Sequence, residues 1–457
     1  MGSGTTPPST TTPGATPPST ANPTTPGPSA AAPSAVCSSG NPIYATPANY
    51  KEKLAALKPG DRLVLAEGVY QDSPPGLPIF GLNGTAAQPI VITGPASGRA
   101  LLIGTSTHNT IRFDDASYVA VCNIEIDGKD QGGFGVAVQG PAHHITLDGL
   151  TIRGVGGDQQ VVGISTTGFP TWNWTIRRNT IIGAGTGMYL GNSDGSSAFV
   201  AGLIEHNLVR DTIGYNTQVK YQTSRAGIPS TIGPAVTIIR HNVFSKSGNS
   251  STGGEARPNL LVDRFPLSGA GATDRYEIYG NFFWQNPSEA LFQGNGNVAF
   301  HDNVLVNDSG SAVVIQPHDG GNPRQVAVYA NTIVASGTGI SLYGGDAGYS
   351  RVVTGNAVFA GVPISSSGCD VRNNITGSRA SASAALNAPF GVPGSTLDLY
   401  PKVGALRGAT AFDLAGFTSY ADYNRDFNGT IRDGFVRGAY AGEGVNPGWA
   451  LALALKP

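Results

Sequence analysis

A short pattern that returns seven times constrains the fold of this chain more than any other feature. It reads apolar–x–x–x–Asn–x–apolar, with drift. Its copies are Trp174–Ile182, Leu203–Val209, Val236–Phe244, Tyr276–Phe283, Val298–Val306, Val326–Val334 and Val352–Phe359. Their Asn residues stand at positions 179, 207, 242, 281, 303, 331 and 356. A period of roughly 20–30 residues built from short β-branched runs is typical of a solenoid, in which equivalent positions stack on one face.

The composition favours short strands and tight turns over helices. The chain has 457 residues, of which 64 are Gly and only 2 are Met, and 13% are charged. Val, Ile, Thr, Asn and Gly dominate the repeats, as strands and turns require. The net charge is −2, with no basic tract, so nucleic acid is not an expected partner. No run of 18 apolar residues exists, so we expect no membrane span.

Three regions follow from the composition. Residues 1–36 are rich in Thr, Pro, Ser, Ala and Gly, and such a stretch behaves as an extended linker without a core. Residues 37–380 contain the repeats and form the expected β-helix domain. Residues 381–457 are expected to pack as irregular structure on the end of the stack. Linkers of this type are common in exported proteins, so we expect a secreted, periplasmic or cell-surface location, although the first residues, MGSG, resemble no signal peptide.

Each later repeat also contains a second short strand. These strands lie within Gly135–Gly140, Gly163–Gly168, Gly187–Asn192, Thr217–Gln222, Asn259–Arg264, Glu289–Gly294, Ser311–Gln316 and Gly339–Gly344. Ahead of the repeats, an amphipathic helix at Tyr50–Leu57 is stopped by Pro59 and Gly60, and strands follow at Arg62–Leu65 and within Pro89–Pro95. Two strand columns with no helix between them predict an all-β, right-handed parallel β-helix, whose first coil the amino-terminal helix caps.

The repeated Asn residues are interpreted as structural. Asn tolerates the left-handed region of backbone space and can bend the chain between strands. Stacked Asn side chains can also form hydrogen bonds along the axis of the coils. His206, His241 and His301 lie at or near these corners, so we read them as structural and not as metal ligands.

Three cysteines are too few for a disulfide framework. Cys37 and Cys122 could pair and attach the start of the domain to an early coil. The alternative is that both, like Cys369, are buried thiols.

The longest coils, from Asn207 to Asn242 and from Asn242 to Asn281, hold the densest charged chemistry. Insertions in a solenoid map to loops on one face, often the face that carries function. Strand alternation places Lys220 outward and leaves Arg264 at the strand end or outward. The residues predicted to point inward are Val219, Tyr221, Leu260 and Val262. Because adjacent coils lie about 4.8 Å apart, Lys220 and Arg264 could face the same groove.

Four segments in this region resemble one family. They are QVK (Gln218–Lys220), IIRHNVF (Ile238–Phe244), LLVDR (Leu260–Arg264) and YGNFF (Tyr279–Phe283). Their order and separation are similar to those of polysaccharide lyases of the chondroitinase B and alginate lyase type, polysaccharide lyase family six, which have a pectate-lyase-like solenoid. The opening segment Lys58–Tyr70 is also similar, although many β-helix proteins share it. The resemblance covers roughly residues 40–375.

The resemblance implies β-elimination on an acidic, uronate-containing polysaccharide. Lys220 would remove the C5 proton, and Arg264 would neutralise the C6 carboxylate, since guanidinium cannot deprotonate. Tyr189, Tyr221 or His318 would protonate the leaving oxygen. The residues expected to bind substrate are Tyr189, Tyr221, Arg225, Arg257, Asp263, Gln293 and His318.

Two departures from the family pattern bear on cofactors and substrate. Calcium-dependent members carry acidic residues shortly before the Lys, where this chain has only the distant Asp211. We therefore expect no metal and no cofactor. Phe265 replaces the His that follows the Arg in the family, which indicates a divergent substrate or lost activity. We also expect a monomer.

Other functions remain open from the sequence. A glycoside hydrolase would need two carboxyl groups about 5–10 Å apart, for which the candidates are Asp263, Glu289 and Glu255. A non-catalytic carbohydrate-binding or adhesion solenoid could use aromatic residues such as Trp172, Trp174, Trp284 and Tyr343. Epimerisation, which also begins with removal of the C5 proton, is a third alternative.

A late segment, Asp422–Asp433, has oxygen-bearing side chains at near-EF-hand spacing. The second flanking helix of an EF-hand is missing, because FVRGAY follows the segment. We therefore favour a structural role over calcium binding.

Overall fold

The computed structural model describes residues 1, 34–72 and 74–457. The Pro/Thr-rich linker predicted at residues 1–36 lies almost wholly outside them. The described strands form one parallel sheet of 15 strands, one parallel sheet of 21 strands and a two-stranded hairpin. The chain is a right-handed parallel β-helix, as the repeats predict.

Three columns of stacked strands make up the coils, and the chain visits them in the order A, B, C. Column A is the 15-stranded sheet. Its strands are Asn41–Ala45, Asp61–Leu65, Ile90–Thr93, Ala116–Cys122, Ala142–Asp148, Thr175–Arg177, Leu203–Glu205, Val236–Arg240, Arg275–Tyr279, Val298–His301, Val326–Tyr329, Arg351–Thr354 and Asp370–Arg372, with Thr171–Trp172 and Phe199–Val200 beside them.

Columns B and C together form the 21-stranded sheet, because two long strands, Thr332–Leu342 and Ala357–Ser366, pass through both. The other strands of column B are Gly68–Tyr70, Ala100–Ile103, Glu125–Asp127, Thr151–Arg153, Thr180–Ile182, Leu208–Arg210, Val243–Ser245, Phe282–Trp284, Val304–Asn307 and Ile375–Gly377. The other strands of column C are Leu77–Phe80, Ile111–Asp114, Val136–Val138, Val162–Ser165, Thr186–Leu190, Thr217–Val219, Leu260–Val262, Phe292–Gly294 and Val313–Ile315.

The number of columns differs from the two predicted. The missed column is B, whose typical strands are only three residues long, as in Thr180–Ile182. Each follows the repeat Asn so closely that the sequence reads as one continuous run from column A. The corner at the Asn divides this run into two strands.

The core is a set of inward-facing ladders, one in each column. In column A the register aligns Ile176, Ile204, Ile239, Ile278, Phe300, Val328 and Val353. All of these side chains are fully buried. The ring of Phe300 stacks on that of Phe292 from column C, with 4.5 Å between the centroids. The interior is therefore filled by apolar side chains.

A ladder of Asn side chains lines the corner between columns A and B. The amide of each Asn donates to the side-chain oxygen of the Asn one coil further on, at 2.9 to 3.1 Å. The ladder comprises Asn179, Asn207, Asn242, Asn281, Asn303, Asn331, Asn356 and Asn374. This confirms the predicted hydrogen bonds along the axis. The left-handed bend belongs to the preceding residue instead, for example Arg178 with φ 52° and His206 with φ 55°.

The amino-terminal end of the stack is closed. The capping helix spans Tyr50–Ala55, two residues shorter than predicted, and buries Tyr50 and Leu54 against the first coils. Cys37 and Cys122 form a disulfide with 5.9 Å between their Cα atoms, and Cys369 is a free thiol. None of the described helices is long and apolar enough to cross a membrane.

The carboxy-terminal segment, residues 378–457, packs along the flanks of the solenoid instead of over its last coil. Its regular elements are Arg379–Ser381, Ala382–Ala385, Leu386–Ala388, Asp398–Pro401 and Ala415–Phe417. Leu399, Phe427 and Tyr440 join the outward-facing residues of column B in a second apolar cluster. Phe412 and Phe417 do the same on column A. Two of the three outer faces are therefore covered in the later coils.

The segment proposed as a possible calcium loop is part of this cover. Asp426 accepts hydrogen bonds from the backbone of Asn428, Thr430 and Ala441. Arg432 is buried and pairs with Asp302 of the solenoid. These bonds use the oxygen atoms of Asp426 to shape the turn and attach the segment to the solenoid, which supports the structural interpretation.

Candidate active site on the outer face of column C

Column C presents a mixed row of outward side chains in the central coils. The register aligns Tyr189, Gln218, Leu261, Gln293 and Val314. None of these residues belongs to the clusters that the carboxy-terminal segment forms on columns A and B. Among the described residues, the outer face of column C is therefore left open by that segment.

Lys220 and Arg264 come together on this face. Each lies just past the end of its strand, and the two strands, Thr217–Val219 and Leu260–Val262, are paired in parallel on neighbouring coils. Lys220 Nζ lies 5.5 Å from the ring centroid of Tyr221, and Arg264 Cζ lies 4.9 Å from it. The structure thus places both cations beside one aromatic ring.

The orientation of Tyr221 differs from the predicted one. Val219, Leu260 and Val262 point inward and are fully buried, as alternation predicts. The strand ends at Val219, however, so alternation does not extend to Tyr221. Its ring is partly exposed beside the two cations, which suits the binding role assigned to it better than the core.

Arg264 is held in place by a turn from two coils further on. Its Nε donates to the backbone oxygen of Asp319 at 2.7 Å, and its Nη1 donates to that of Gln222 at 3.2 Å. A Cβ atom on Gly321 would lie 2.1 Å from Cδ of Arg264, so only Gly allows the turn to approach this closely. Nη2 has no hydrogen-bond partner among the described residues and is free to bind an anion.

The same turn brings an imidazole and a second carboxylate to the site. His318 Nδ1 lies 2.6 Å from a carboxylate oxygen of Asp263 and 3.3 Å from one of Asp319. Lys220 Nζ lies 3.8 Å from Asp319. Asp263 also accepts from the backbone N–H of Arg264 at 2.7 Å. The five side chains therefore form one connected cluster.

Burial and neighbouring groups shift the pKa values of Asp263 and Asp319 in opposite directions. Burial alone would raise the pKa of Asp263, but hydrogen bonds from its neighbours, His318 first, bring that pKa below its usual value. Burial and the adjacent Asp263 raise the pKa of Asp319. The hydrogen bond with Asp263 raises the pKa of His318. An ionised Asp263 thus orients the ring of His318 and favours its protonated form.

Two tyrosines extend the site towards earlier coils. Tyr189 points outward, as predicted, and burial raises the pKa of its phenol. Burial raises the pKa of Tyr215 to about 12, and the charges of Arg257, Asp319 and Glu289 also act on it. Both phenols therefore stay protonated at neutral pH. Tyr215 was not among the predicted site residues.

Arg257 and Gln293 lie on the side of the site that Tyr215 marks. The guanidinium carbon of Arg257 is 6.0 Å from the ring centroid of Tyr215, and its side chain is 27% exposed. Gln293 donates to Glu289 at 2.7 Å. These groups add polar side chains to that side of the site.

Lys246 lies beneath the loop that carries Arg257 and does not reach the surface. Its side chain is fully buried, and burial lowers its pKa to about 7. Its Nζ donates to the backbone oxygen of Arg257 at 2.9 Å. Lys246 therefore attaches the loop that carries Arg257 to the solenoid.

Arg225 does not join the site. Its side chain is 7% exposed, and its guanidinium pairs with the buried carboxylate of Asp274. Asp274 also accepts from the backbone of Ala235 at 2.8 Å. Arg225 thus anchors the loop of residues 221–235, and the structure does not offer it to substrate.

Three side chains of the cluster are of the types that bind metal ions. Asp263, His318 and Asp319 each present a ligand atom within 4.8 Å of the others. The Nδ1 atom of His318 already bonds to Asp263, and the ammonium group of Lys220 lies beside Asp319. The carboxylates of Asp263 and Asp319 therefore already have partners within the protein, His318 and Lys220.

Two cavities lie away from this cluster. One of about 670 Å³ lies near the amino-terminal coils and includes Lys53 and Arg62 in its lining. Another of about 430 Å³ lies beside Arg275 and Tyr420. Neither lining contains a carboxylate or an imidazole, so neither of these two cavities has the acid–base groups that the open face has. An open face suits a polymer better than a small molecule.

The structure brings the predicted residues Lys220, Arg264 and His318 together and adds Asp319 and Tyr215, which the sequence did not predict. Asp319 follows His318 directly in the turn Gln316–Asn322. Its role depends on contact with Arg264, 55 residues earlier. Only the register between coils reveals such a contact, and that register is not readable from spacings that vary between repeats.

Comparison with known proteins supports the fold. Residues 162–376 match a family model described as a right-handed β-helix region. No curated protein matches the chain in sequence. A GH136 lacto-N-biosidase from Eubacterium ramulus is 12% identical over 74% of this chain and 68% of its own, with a TM-score of 0.46.

Two lyases of known structure are similarly distant. An alginate lyase from a Paenibacillus species is 19% identical over 74% of this chain and 97% of its own, with a TM-score of 0.33. The pectate lyase Pel9A is 13% identical over 86% of this chain and 96% of its own, with a TM-score of 0.45. At such identities the likeness concerns the β-helix alone.

Proposed function

We propose that this protein is a polysaccharide lyase that cleaves an anionic, uronate-containing polymer by β-elimination. The observation that carries the proposal is the cluster on column C, where Lys220, Arg264 and His318 share one open face. Elimination needs a base, a cation for the carboxylate and a proton donor for the leaving oxygen. This cluster contains one group suited to each task.

Arg264 would neutralise the C6 carboxylate. Its Nε and Nη1 donate hydrogen bonds to backbone oxygens, so the orientation of the guanidinium group is fixed while Nη2 stays free. Neutralising the carboxylate stabilises the negative charge that develops when the C5 proton leaves. A guanidinium suits this role, because it stays charged and is preorganised for carboxylates.

Lys220 would accept the C5 proton once its ammonium group has released its own proton to solvent. The ammonium group formed in this step would lie beside Asp319, at the 3.8 Å that separates the two side chains. As the C5–H bond breaks, a C4–C5 double bond forms and the C4–O4 bond breaks. Asp319 thus stabilises the charge that Lys220 acquires.

His318 would protonate the departing O4 oxygen. Its ring is 41% exposed, while its partner Asp263 is 1% exposed, so the ring faces the substrate and the carboxylate stays behind it. The hydrogen bond with Asp263 raises the pKa of His318, which favours the proton-bearing form. Tyr189 and Tyr221 are left as binding groups for the sugar rings.

Hydrolysis by two carboxyl groups receives less support from this arrangement. Glycosidases hold two accessible carboxyl groups about 5–10 Å apart, on opposite sides of the bond they cleave. Here Asp263 is almost fully buried, and its ligand atom lies within 4.8 Å of that of Asp319. The pair can share protons but cannot flank a sugar.

The test is a screen of alginates, glycosaminoglycans, pectins and bacterial exopolysaccharides. A lyase produces an ultraviolet-absorbing unsaturated uronate at each new chain end. Reducing ends that appear without this absorbance would establish hydrolysis and overturn the proposal. Binding without any cleavage would indicate the adhesion solenoid instead.

Activity should not depend on an added metal ion. The carboxylates of the cluster are already balanced by Lys220 and His318, so a chelator such as EDTA should leave the rate of unsaturated-end formation unchanged. Loss of activity in EDTA, with recovery on adding calcium, would contradict this prediction.

An extracellular or periplasmic location is part of the same proposal. The disulfide between Cys37 and Cys122 supports it, because disulfides persist mainly in oxidising compartments. Polysaccharides of the proposed class are also found outside the cell membrane.

A further inference from the structure

The two ends of the solenoid are closed to different extents. The helix Tyr50–Ala55 covers the first coil. At the other end, no described strand pairs with the outer edge of Asp370–Arg372, of Ile375–Gly377 or of the second half of Ala357–Ser366. The carboxy-terminal segment packs on the flanks and does not cover this end.

Apolar side chains that face the interior in earlier coils are exposed at this open end. Val371 continues the column A ladder above Val353, yet it is 43% exposed, whereas Val353 is fully buried. Val362 is 50% exposed. A shallow cavity of about 420 Å³ lies between Ile364 and Val371. The end therefore presents both unpaired strand edges and an unfinished core, a combination that favours association with another strand.

The charges on the last column A strand identify the partner. Asp370 and Arg372 flank Val371 and project to the same side of the strand, where they pair with each other. If two copies of this strand pair antiparallel about a two-fold axis through Val371, Asp370 of each copy lies opposite Arg372 of the other. The strand is thus complementary to itself, as an isologous interface requires.

We propose that two copies of this chain associate end to end through the open coil, pairing Asp370–Arg372 antiparallel. The contact would cover Val371 and satisfy the free strand edges of both copies. It would leave the cluster of Lys220 and Arg264 exposed, because about four coils at about 4.8 Å each separate Arg264 from the interface and about two separate His318 and Asp319 from it. The sequence alone favoured a monomer.

Sedimentation velocity of the full chain over a wide concentration range tests the proposal. The expected result is a reversible species of about twice the 46.8 kDa of one chain. Val371→Asp should weaken dimerisation at least about 100-fold, because it buries a charge at the centre of the interface. A chain that stays monomeric at every concentration would overturn the proposal.

Charge reversal identifies the register. Asp370→Arg and Arg372→Asp should each weaken the dimer at least about tenfold, since each places like charges opposite one another. The double variant Asp370→Arg/Arg372→Asp should restore it, and an equimolar mixture of the two single variants should form a mixed dimer. A dimer that none of these changes affects would show a different interface and overturn the proposal.

Two further measurements test whether the variants are folded and whether another segment of the same chain covers the open end. Circular dichroism, and the melting temperature at a concentration where every variant is monomeric, should be unchanged in all four variants, because these side chains are exposed. Hydrogen exchange should show Asp370–Arg372 protected at high concentration and unprotected at low concentration. Protection that does not depend on concentration would mean that another segment of the chain covers the end, which would also overturn the proposal.

Discussion

Columns B and C have the same strand geometry but different outer faces. In column B the outward row changes from Thr151 and Thr180 to Leu208, Val243 and Phe282. The apolar part of the row begins where the carboxy-terminal segment covers it. In column C the equivalent row contains Tyr189, Gln218 and Gln293 and has no such cover.

The difference shows that one scaffold separates stability from function by column. On column B, outward side chains contribute to a second core and should tolerate little change. On column C, Gln218 and Leu261 are buried, but Tyr189, Gln293 and Val314 are partly exposed and can carry chemistry. Substitutions on the two faces should therefore separate into those that change folding and those that change turnover.

The largest effect is expected in the column C cluster. Lys220→Ala should lower turnover by about 10²–10⁴-fold, because it removes the proposed base. The melting temperature should change little, since an ion pair at a partly exposed site contributes at most about 1 kcal/mol. Lys220→Arg should be as inactive, because guanidinium cannot act as a base near neutral pH.

Arg264→Ala should cause a comparable loss of turnover, because the C6 carboxylate of the substrate would no longer be neutralised. Lys402→Ala, on the exposed carboxy-terminal segment, provides the control. Initial rates of unsaturated-end formation and thermal melts measure both properties. Near-normal turnover of Lys220→Ala would contradict the assignment at its centre.

Phe282→Ala on column B should show the opposite behaviour. The ring is fully buried between the solenoid and the carboxy-terminal segment, where it packs near Trp284 and Trp449. Its removal should lower the free energy of unfolding by about 3–5 kcal/mol. Turnover per folded molecule should stay unchanged at a temperature where the variant is folded. Denaturant titration together with activity at low temperature tests both parts.

Asp263→Asn should move the pH dependence of activity. In the folded protein the carboxylate of Asp263 raises the pKa of His318, so the variant should lose the protonated ring at a lower pH. The alkaline limb of the activity profile, where His318 loses its proton, should therefore shift to lower pH. A profile that keeps its alkaline limb would assign that limb to another group.

The stability provided by the Asp263–His318 pair has a defined pH window. His318 has a raised pKa when folded, so its contribution is complete below the unfolded His pKa of about 6.5 and is lost as the pH rises through the folded value. Asp263 has a lowered pKa, so its contribution is lost in acid below about 4. Asp263→Asn should therefore destabilise the protein most between these limits, as thermal melts at several pH values would show.

The smallest effects come from a matched pair in the outward row of column B. Thr180→Val, in the uncovered coil, should change the free energy of unfolding by no more than about 0.5 kcal/mol. Val243→Thr, two coils further on and fully buried, should lower it by about 1–3 kcal/mol, because it buries a hydroxyl. Equal effects at the two positions would mean that packing of the carboxy-terminal segment does not determine whether outward residues of column B are polar or apolar.

The repeats predicted the fold because each Asn lies at the same corner of each coil. The sequence did not separate columns A and B, since short runs such as Thr175–Arg177 and Thr180–Ile182 are divided only by Arg178 and Asn179. The backbone bend at Arg178, with a positive φ, has no signature in the residue type. Local pattern thus specified the strands but not the corner between them.

The residues of the candidate site that follow directly after strands could be predicted from the sequence. Lys220 and Arg264 each follow a recognisable strand, so their shared face could be expected. Asp319 and Tyr215 lie in turns, and their places depend on loops whose lengths differ from coil to coil. Arg225 lies in a polar loop that looks exposed, but it is buried and pairs with Asp274 from a later coil.

The Asn ladder suggests how such a protein can acquire new specificity. Neighbouring rungs are joined by as few as 18 residues, between Asn356 and Asn374, and by as many as 39, between Asn242 and Asn281. The amide-to-amide distance is nevertheless almost the same at both steps. Loops can therefore lengthen, shorten or be exchanged between rungs without disturbing the coils above and below. Evolution, or a designer, could graft a different recognition loop into one coil while inheriting the rest of the solenoid unchanged.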